Sequence, residues 1–169
     1  ITSITMADSF TFTGTLHGTT ATTIADGVTF TSAASVVTAK AISDGDDTGT
    51  VTITALHSTL AADLSGIDAN AVTAAFDGSG TFTGDIGNAV VTVADGVDMT
   101  AAANKLIDHT INKASGGVGN GKLLVTLSAA SDTAVDLNSI GGNVTISNIS
   151  IIENLTFTGT LHGTVGTTV

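Results

Sequence analysis

Apolar residues and threonines alternate in short pieces along this chain. Thr50-Val51-Thr52-Ile53-Thr54 does so cleanly, as does Asn143-Val144-Thr145-Ile146-Ser147, and Val90-Val91-Thr92-Val93 follows the same habit. Residues 10–16, Phe-Thr-Phe-Thr-Gly-Thr-Leu, put Phe10, Phe12 and Leu16 on one face and threonine on the other. A period of two with one apolar face predicts strands that pack inward and show their other side to water. Between the pieces stand turn pairs: Asp26-Gly27, Asp44-Gly45, Asp77-Gly78, Gly87-Asn88, Asp95-Gly96 and Gly141-Gly142. Such residues accept the positive φ of tight corners. The alanine-rich patches Ser32–Val37 and Ala101–Leu106 fit a helical turn as well as a strand, and Leu56–Leu64 has partial i, i+4 spacing. Strands or irregular turns are the expectation there.

The pattern recurs. Thr11-Phe12-Thr13-Gly14-Thr15-Leu16-His17-Gly18-Thr19 returns as Thr156-Phe157-Thr158-Gly159-Thr160-Leu161-His162-Gly163-Thr164, and a diverged copy, Thr81-Phe82-Thr83-Gly84-Asp85-Ile86-Gly87, lies between them. From Phe12 to Phe157 is 157 − 12 = 145 residues, which Phe82 divides into 70 and 75. The halves superpose elsewhere too. Ala25–Val28 matches Ala94–Val97 at an offset of 69, Asp63–Ile67 matches Asp136–Ile140 at 73, and Val51/Ile53/Ala55 corresponds to Leu123/Val125/Leu127. The chain therefore divides into half-repeats over about 10–80 and 81–154, and residues 155–169 begin the next one.

Self-similarity of this kind predicts an all-β fold, a β-solenoid (β-helix) running as one continuous segment over residues 1–169 and built from two half-repeats of roughly 72 residues. A coil whose turns sit on one another needs like residues at like places; a sandwich does not. With roughly 20–25 residues per turn, one repeat makes about six or seven turns and rises on the order of 30 Å. Tandem β-sandwiches are the alternative, each small for that fold. The restart from Leu155 to Val169 leaves the coil without a cap, so the expected partner is the chain itself: another repeat, or another subunit, stacked end to end.

Composition adds exclusions. Proline, cysteine, tryptophan and tyrosine are absent, as are arginine and glutamine, and hydrophobic residues make up 42%. The absence of cysteine rules out a disulfide framework. Fifteen acidic residues face four lysines, for a net charge of −11, which repels phosphate backbones and argues against nucleic acid. No apolar run approaches the roughly 20 residues of a membrane-spanning helix. Residue 1 is Ile and no signal-peptide pattern follows it, as expected of a processed chain or a slice of a longer one. An acidic, lysine-poor, threonine-rich surface fits an extracellular or cell-surface location.

Val91-Thr92-Val93-Ala94-Asp95-Gly96-Val97, Ala61-Ala62-Asp63-Leu64-Ser65-Gly66-Ile67 and Thr81-Phe82-Thr83-Gly84 resemble the repeats of very large bacterial surface, S-layer-like and adhesin proteins. The resemblance implies export, a β-rich stalk or solenoid, and a structural or adhesive role. The glycine-aspartate nonapeptide with which such proteins often bind calcium is not present. Its nearest counterpart, Gly116–Gly121, has no Asp.

Candidate chemistry is sparse. Asp44, Asp46 and Asp47 gather three carboxylates at one turn, the hard oxygen ligands that Ca²⁺ takes; a solvated turn is the plainer explanation. Asn143, Asn148 and Asn154 each open an N-glycosylation sequon. His17 and His162 occupy one repeat position, while His57 and His109 are unrelated to it; none has a second ligand at metal spacing, and no nucleophile elbow accompanies them. No enzyme is expected: a polysaccharide-cleaving groove would want arginine or aromatic platforms, and Arg, Trp and Tyr are all missing. The Thr-x-Thr pieces at Thr11, Thr52, Thr81 and Thr156 suggest an ice-binding array, but intervals of 41, 29 and 75 are too uneven for one per turn. The functional expectation is thus a structural unit of an extracellular fibre, sheath or surface layer, with the stalk of a large adhesin as the alternative.

Overall fold

A computed structural model describes residues 2–18, 20–45, 48–115, 121–128, 132–151, 155–162 and 167–168. Their strands pair only in parallel and fall into three sheets. The first holds β1 (Ser3–Met6), β3 (Ala21–Ile24), β5 (Ile42–Asp44) and β7 (Ile67–Asp68), stacked in that order. The second holds β2 (Phe10–Phe12), β4 (Thr29–Ala33), β6 (Thr50–Thr54), β8 (Ala71–Phe76), β10 (Val90–Val93) and β12 (Ile111–Lys113). The third runs through β9 (Gly80–Phe82), β11 (Asp98–Ala102), β13 (Lys122–Leu127), β14 (Thr145–Ile151) and β15 (Thr167–Thr168).

A single turn shows the plan. The chain passes through β7, β8 and β9, one strand in each sheet, and Asp85 then bridges back in parallel onto Asp63, 85 − 63 = 22 residues earlier. The molecule is a three-sided parallel β-solenoid of about 7 turns. Tandem sandwiches are excluded, because their neighbouring strands run antiparallel.

Alternation builds the core. In the second sheet Phe30, Val51 and Val72 lie in register, and all three are buried. Two residues on, Ser32, Ile53, Ala74, Val91 and Ile111 form a second inward column. Ser32 is the polar member, and its hydroxyl donates to the Phe12 carbonyl at 2.8 Å, so its burial leaves no group unpaired. In the third sheet Phe82, Ala101, Val125 and Ile149 repeat the arrangement. Each turn thus seals the apolar face of the last, and the backbone ladders run along the coil axis.

Equivalent strands of the two half-repeats do not lie in the same sheet. β1 corresponds to β8, β3 to β10 and β5 to β12, each pair passing from the first sheet to the second. β2 corresponds to β9, β4 to β11, β6 to β13 and β8 to β14, each passing from the second sheet to the third. From β1 the chain completes three turns, marked by β3, β5 and β7, and then goes one side further to reach β8. One half-repeat is therefore three and one-third turns, and the recurring motif moves round the prism by one side each time.

The alanine-rich patches divide: Ser32–Ala33 and Ala101–Ala102 end β4 and β11 as strand, and a helical turn follows each. α1 covers Ala34–Val37, and single 3₁₀ turns cover Ala103–Lys105 and, at the start of the Leu56–Leu64 stretch, Leu56–Ser58. These segments follow β4, β6 and β11 at corners where the chain must turn within a few residues, a geometry that alanine adopts at little cost. Tight corners also force positive φ on Ala39 (53°), Ala55 (54°) and Asp108 (64°). The positive φ expected at the turn pairs is found at Gly27 (66°), its equivalent Gly96 (71°), Gly87 (57°) and Gly142 (95°), but not at Gly45 or Gly78. The strand that was expected over residues 10–16 stops at Phe12, and a bend follows it. No helix among the described residues is long and apolar enough to cross a membrane.

Candidate functional site

The residues singled out above are spread over the coil. Asp44 ends β5, and its Oδ2 accepts hydrogen bonds from the backbone N–H of Gly49 (3.1 Å) and of Asn70 (2.8 Å). Asn70 is one turn away, so the carboxylate ties consecutive turns together through two backbone N–H groups. Asp46 and Asp47 lie outside the described residues, as does Asn154. Among the described residues no three His, Cys, Asp or Glu side chains come together in a way that would hold a metal ion.

Asn143 is exposed and joined to the turn below. Its Oδ1 accepts from the Lys113 N–H at 2.9 Å, and its own N–H donates to Asn112 Oδ1 at 3.2 Å. Asn148 lies in β14 at a bulge, where Ile146 pairs with Leu123 but Asn148 pairs with Leu124. Ser147 is the extra residue.

His57 stands at a corner with Nδ1 2.5 Å from Asp77 Oδ1, one turn on. The adjacent Ser58 hydroxyl donates to the Ala55 carbonyl at 2.7 Å, which engages it in the corner rather than with the imidazole. This pair is a clasp between turns. His17 is exposed, whereas His162 Nδ1 is buried with no hydrogen-bond partner among the described residues.

The threonine array is more regular than the motif intervals implied. Thr11, Thr31, Thr52 and Thr73 pair in register on four consecutive strands of the second sheet, with Thr29 on Thr50 beside them. The column draws on threonines from different motifs, which is why the intervals hid it. It ends where Thr73 meets Val90.

The arrangement with the most internal order is the junction at which one half-repeat is laid on the previous one. Thr83 N donates to Leu60 O (2.7 Å), Asp85 N to Ala62 O (2.9 Å), and Leu64 N returns to Asp85 O (2.9 Å). At the far end of the chain, Thr158 N donates to Thr133 O (2.6 Å), Thr160 N to Val135 O (3.1 Å), and Leu137 N returns to Thr160 O (3.0 Å). The offsets are 73 on the accepting side and 75 on the incoming side throughout. The parallel bridges Asp63–Asp85 and Asp136–Thr160 correspond in the same way.

Aspartates shape both seats. Asp63 Oδ1 accepts from Ser65 N (3.0 Å) and Ser65 Oγ (2.6 Å), and Asp136 Oδ1 accepts from Asn138 N (3.0 Å). The Ser65 hydroxyl, then its backbone N–H, and then the Lys105 charge hold the Asp63 carboxyl below the usual aspartate range. Both seats also require glycine in the incoming strand. A Cβ on Gly84 would lie 1.9 Å from the Ala62 carbonyl oxygen, and one on Gly159 would lie 2.1 Å from that of Val135.

The sequence expectation did not include this seat. Its visible trace was the pairing of Asp63–Ile67 with Asp136–Ile140, each shortly ahead of a Thr-Phe-Thr-Gly motif. No family model, curated protein or solved structure matches this chain. The class it belongs to by its own architecture is the parallel β-solenoid.

Proposed function

We propose that this chain is a structural repeat unit of an extracellular fibre, sheath or surface layer, extended by stacking further copies on its ends. The recurrence of one junction, with the same three backbone hydrogen bonds at each, carries the reading. A fold that adds its third motif as it added its second has a rule for adding a fourth. The resemblance to bacterial surface and adhesin repeats, the net charge of −11 and the threonine-rich exterior support the same location and role. Among the described residues the large hydrophobic ones that stay exposed, Phe10 at 39% and Leu161 at 37%, lie towards opposite ends of the coil, where a neighbouring turn would cover them.

Electron microscopy of the purified chain at increasing concentration tests this. Regular filaments or a lattice with an axial period of about one repeat are expected. Compact single particles at every concentration would contradict it.

A further inference from the structure

The outward face of the second sheet differs from the other two. Thr31, Thr52 and Thr73 stand in register on β4, β6 and β8, with Thr11 before them on β2. On one side of this column Thr29 pairs with Thr50; on the other, Thr54 pairs with Ala33 and Thr92 with Ala75. From β2 to β10 the outward positions hold only threonine, alanine and one valine, Val90. Charge sits on the other faces: Asp98 pairs with Lys122 on the outward side of the third sheet, and Ser43 with Asp68 on that of the first. A chain of net charge −11 thus keeps these strands free of it.

Two distances describe the face. Its strands lie about 4.8 Å apart, and residues i and i+2 of one strand about 6.6 Å apart. Water oxygens in the prism face of ice repeat at close to these two distances. Threonine suits such a template, because its hydroxyl donates one hydrogen bond and accepts two, and β-branching restricts its χ1. Hydroxyls already held in place lose little entropy on joining a lattice. Between the Thr52–Thr73 column and the one through Thr54, Ala75 and Thr92 runs a trough of about 130 Å³, with room for several waters. The face covers roughly 20 Å by 13 Å, about 250 Å², well short of the roughly 800 Å² that each partner of a stable protein complex buries. The chain also has no tryptophan, tyrosine or arginine to anchor such a complex. Ordered water needs neither.

We propose that the outward face of the second sheet binds ice, through water held on the Thr52–Thr73 column and in the trough beside it. The end-to-end reading is not needed for this. The full chain and variants with one added charge test it. Thr52→Lys puts a cation in the middle of the face, and Thr73→Lys repeats the change one turn on. Thr100→Lys puts the same cation on the outward side of the third sheet, where Thr100 pairs with Leu124. Far-UV circular dichroism checks that each variant is folded. Ice is grown slowly from dilute solution, and the protein trapped in it is quantified by mass spectrometry against a non-binding protein of similar charge. The unaltered chain should be enriched in the ice over that control, and Thr100→Lys should match it. Thr52→Lys and Thr73→Lys should fall about tenfold or more, because a charge pressed into close contact without a partner is costly. Exclusion of the unaltered chain at the level of the control overturns the proposal. An equal loss in all three variants overturns it too, since no particular face would then be in use. Dimers in sedimentation that Thr52→Lys disperses, with no enrichment in ice, would overturn it in favour of a second copy on this face.

Discussion

Gly84→Ala is expected to be among the most damaging single-methyl changes in this chain. The added Cβ would lie 1.9 Å from the Ala62 carbonyl oxygen, with the Ala62 nitrogen and carbonyl carbon each at 2.8 Å. All three atoms are backbone of the turn below, and none can swing aside as a side chain would. The turns must separate, which breaks the bond from Asp85 N to Ala62 O and that from Leu64 N to Asp85 O, both 2.9 Å. Overpacking costs about 1–3 kcal/mol and each buried unmade hydrogen bond about 1–3 kcal/mol more, so a loss of about 3–5 kcal/mol is expected. For a chain of this size that lowers the melting temperature by on the order of 10 °C. Gly14→Ala, at the equivalent position of the first motif, meets only the Phe12 ring and should stay within about 1 kcal/mol of wild type. Thermal melts by circular dichroism distinguish the two. Equal effects at both positions would mean that Gly84 does not lie against Ala62.

Phe30→Ala should cost nearly as much by a different route. Phe30 is fully buried in register with Val51, and its ring lies 5.8 Å from that of Phe10 and 6.2 Å from that of Phe12. Removing it opens a cavity near the end of the coil, at about 3–5 kcal/mol. Phe10→Ala, at 39% exposure in the same aromatic cluster, should cost under about 1 kcal/mol. Denaturant midpoints of the two variants are the readout. A repeat fold can lose its end turns first, so the first third of the coil is where early unfolding should appear. Similar midpoints for the two would place Phe30 outside the core.

The fold class was legible because threonine and β-branched residues alternate, and because like residues recur at near-constant offsets. β6 could be read directly from Thr50-Val51-Thr52-Ile53-Thr54. Positive φ was legible at Gly27 and Gly96, since only the local turn decides it. Asp77-Gly78 looked the same, yet Gly78 answers to something distant: a Cβ there would lie 2.5 Å from the imidazole Cδ2 of His57, one turn before it. The helical corner at Ala34–Val37 escaped because alanine runs serve strands and helical turns alike at so short a length.

The one-side advance per half-repeat was hidden for a geometric reason. Offsets of 69 to 75 residues give distance along the chain, and only the residues per turn and the number of sides convert that distance into an angle. Asp44 shows the same limit at the level of chemistry. A carboxylate at a glycine-flanked turn signals a cation and a backbone clamp equally well, and its second partner, Asn70, lies 26 residues away. The seat at Thr133–Leu137 was illegible for a further reason: it is made of main-chain carbonyls, which every sequence possesses.

The central claim is that successive turns lie on one another in parallel and in register. Continuous-wave electron paramagnetic resonance with nitroxides at Thr52 and Thr73 tests it most directly, since the two are register partners on the outer side of the second sheet. Their backbones should be about 4.8 Å apart, so the doubly labelled chain should give a strongly dipolar-broadened spectrum compared with the sum of the singly labelled ones. A spectrum equal to that sum would contradict the coil.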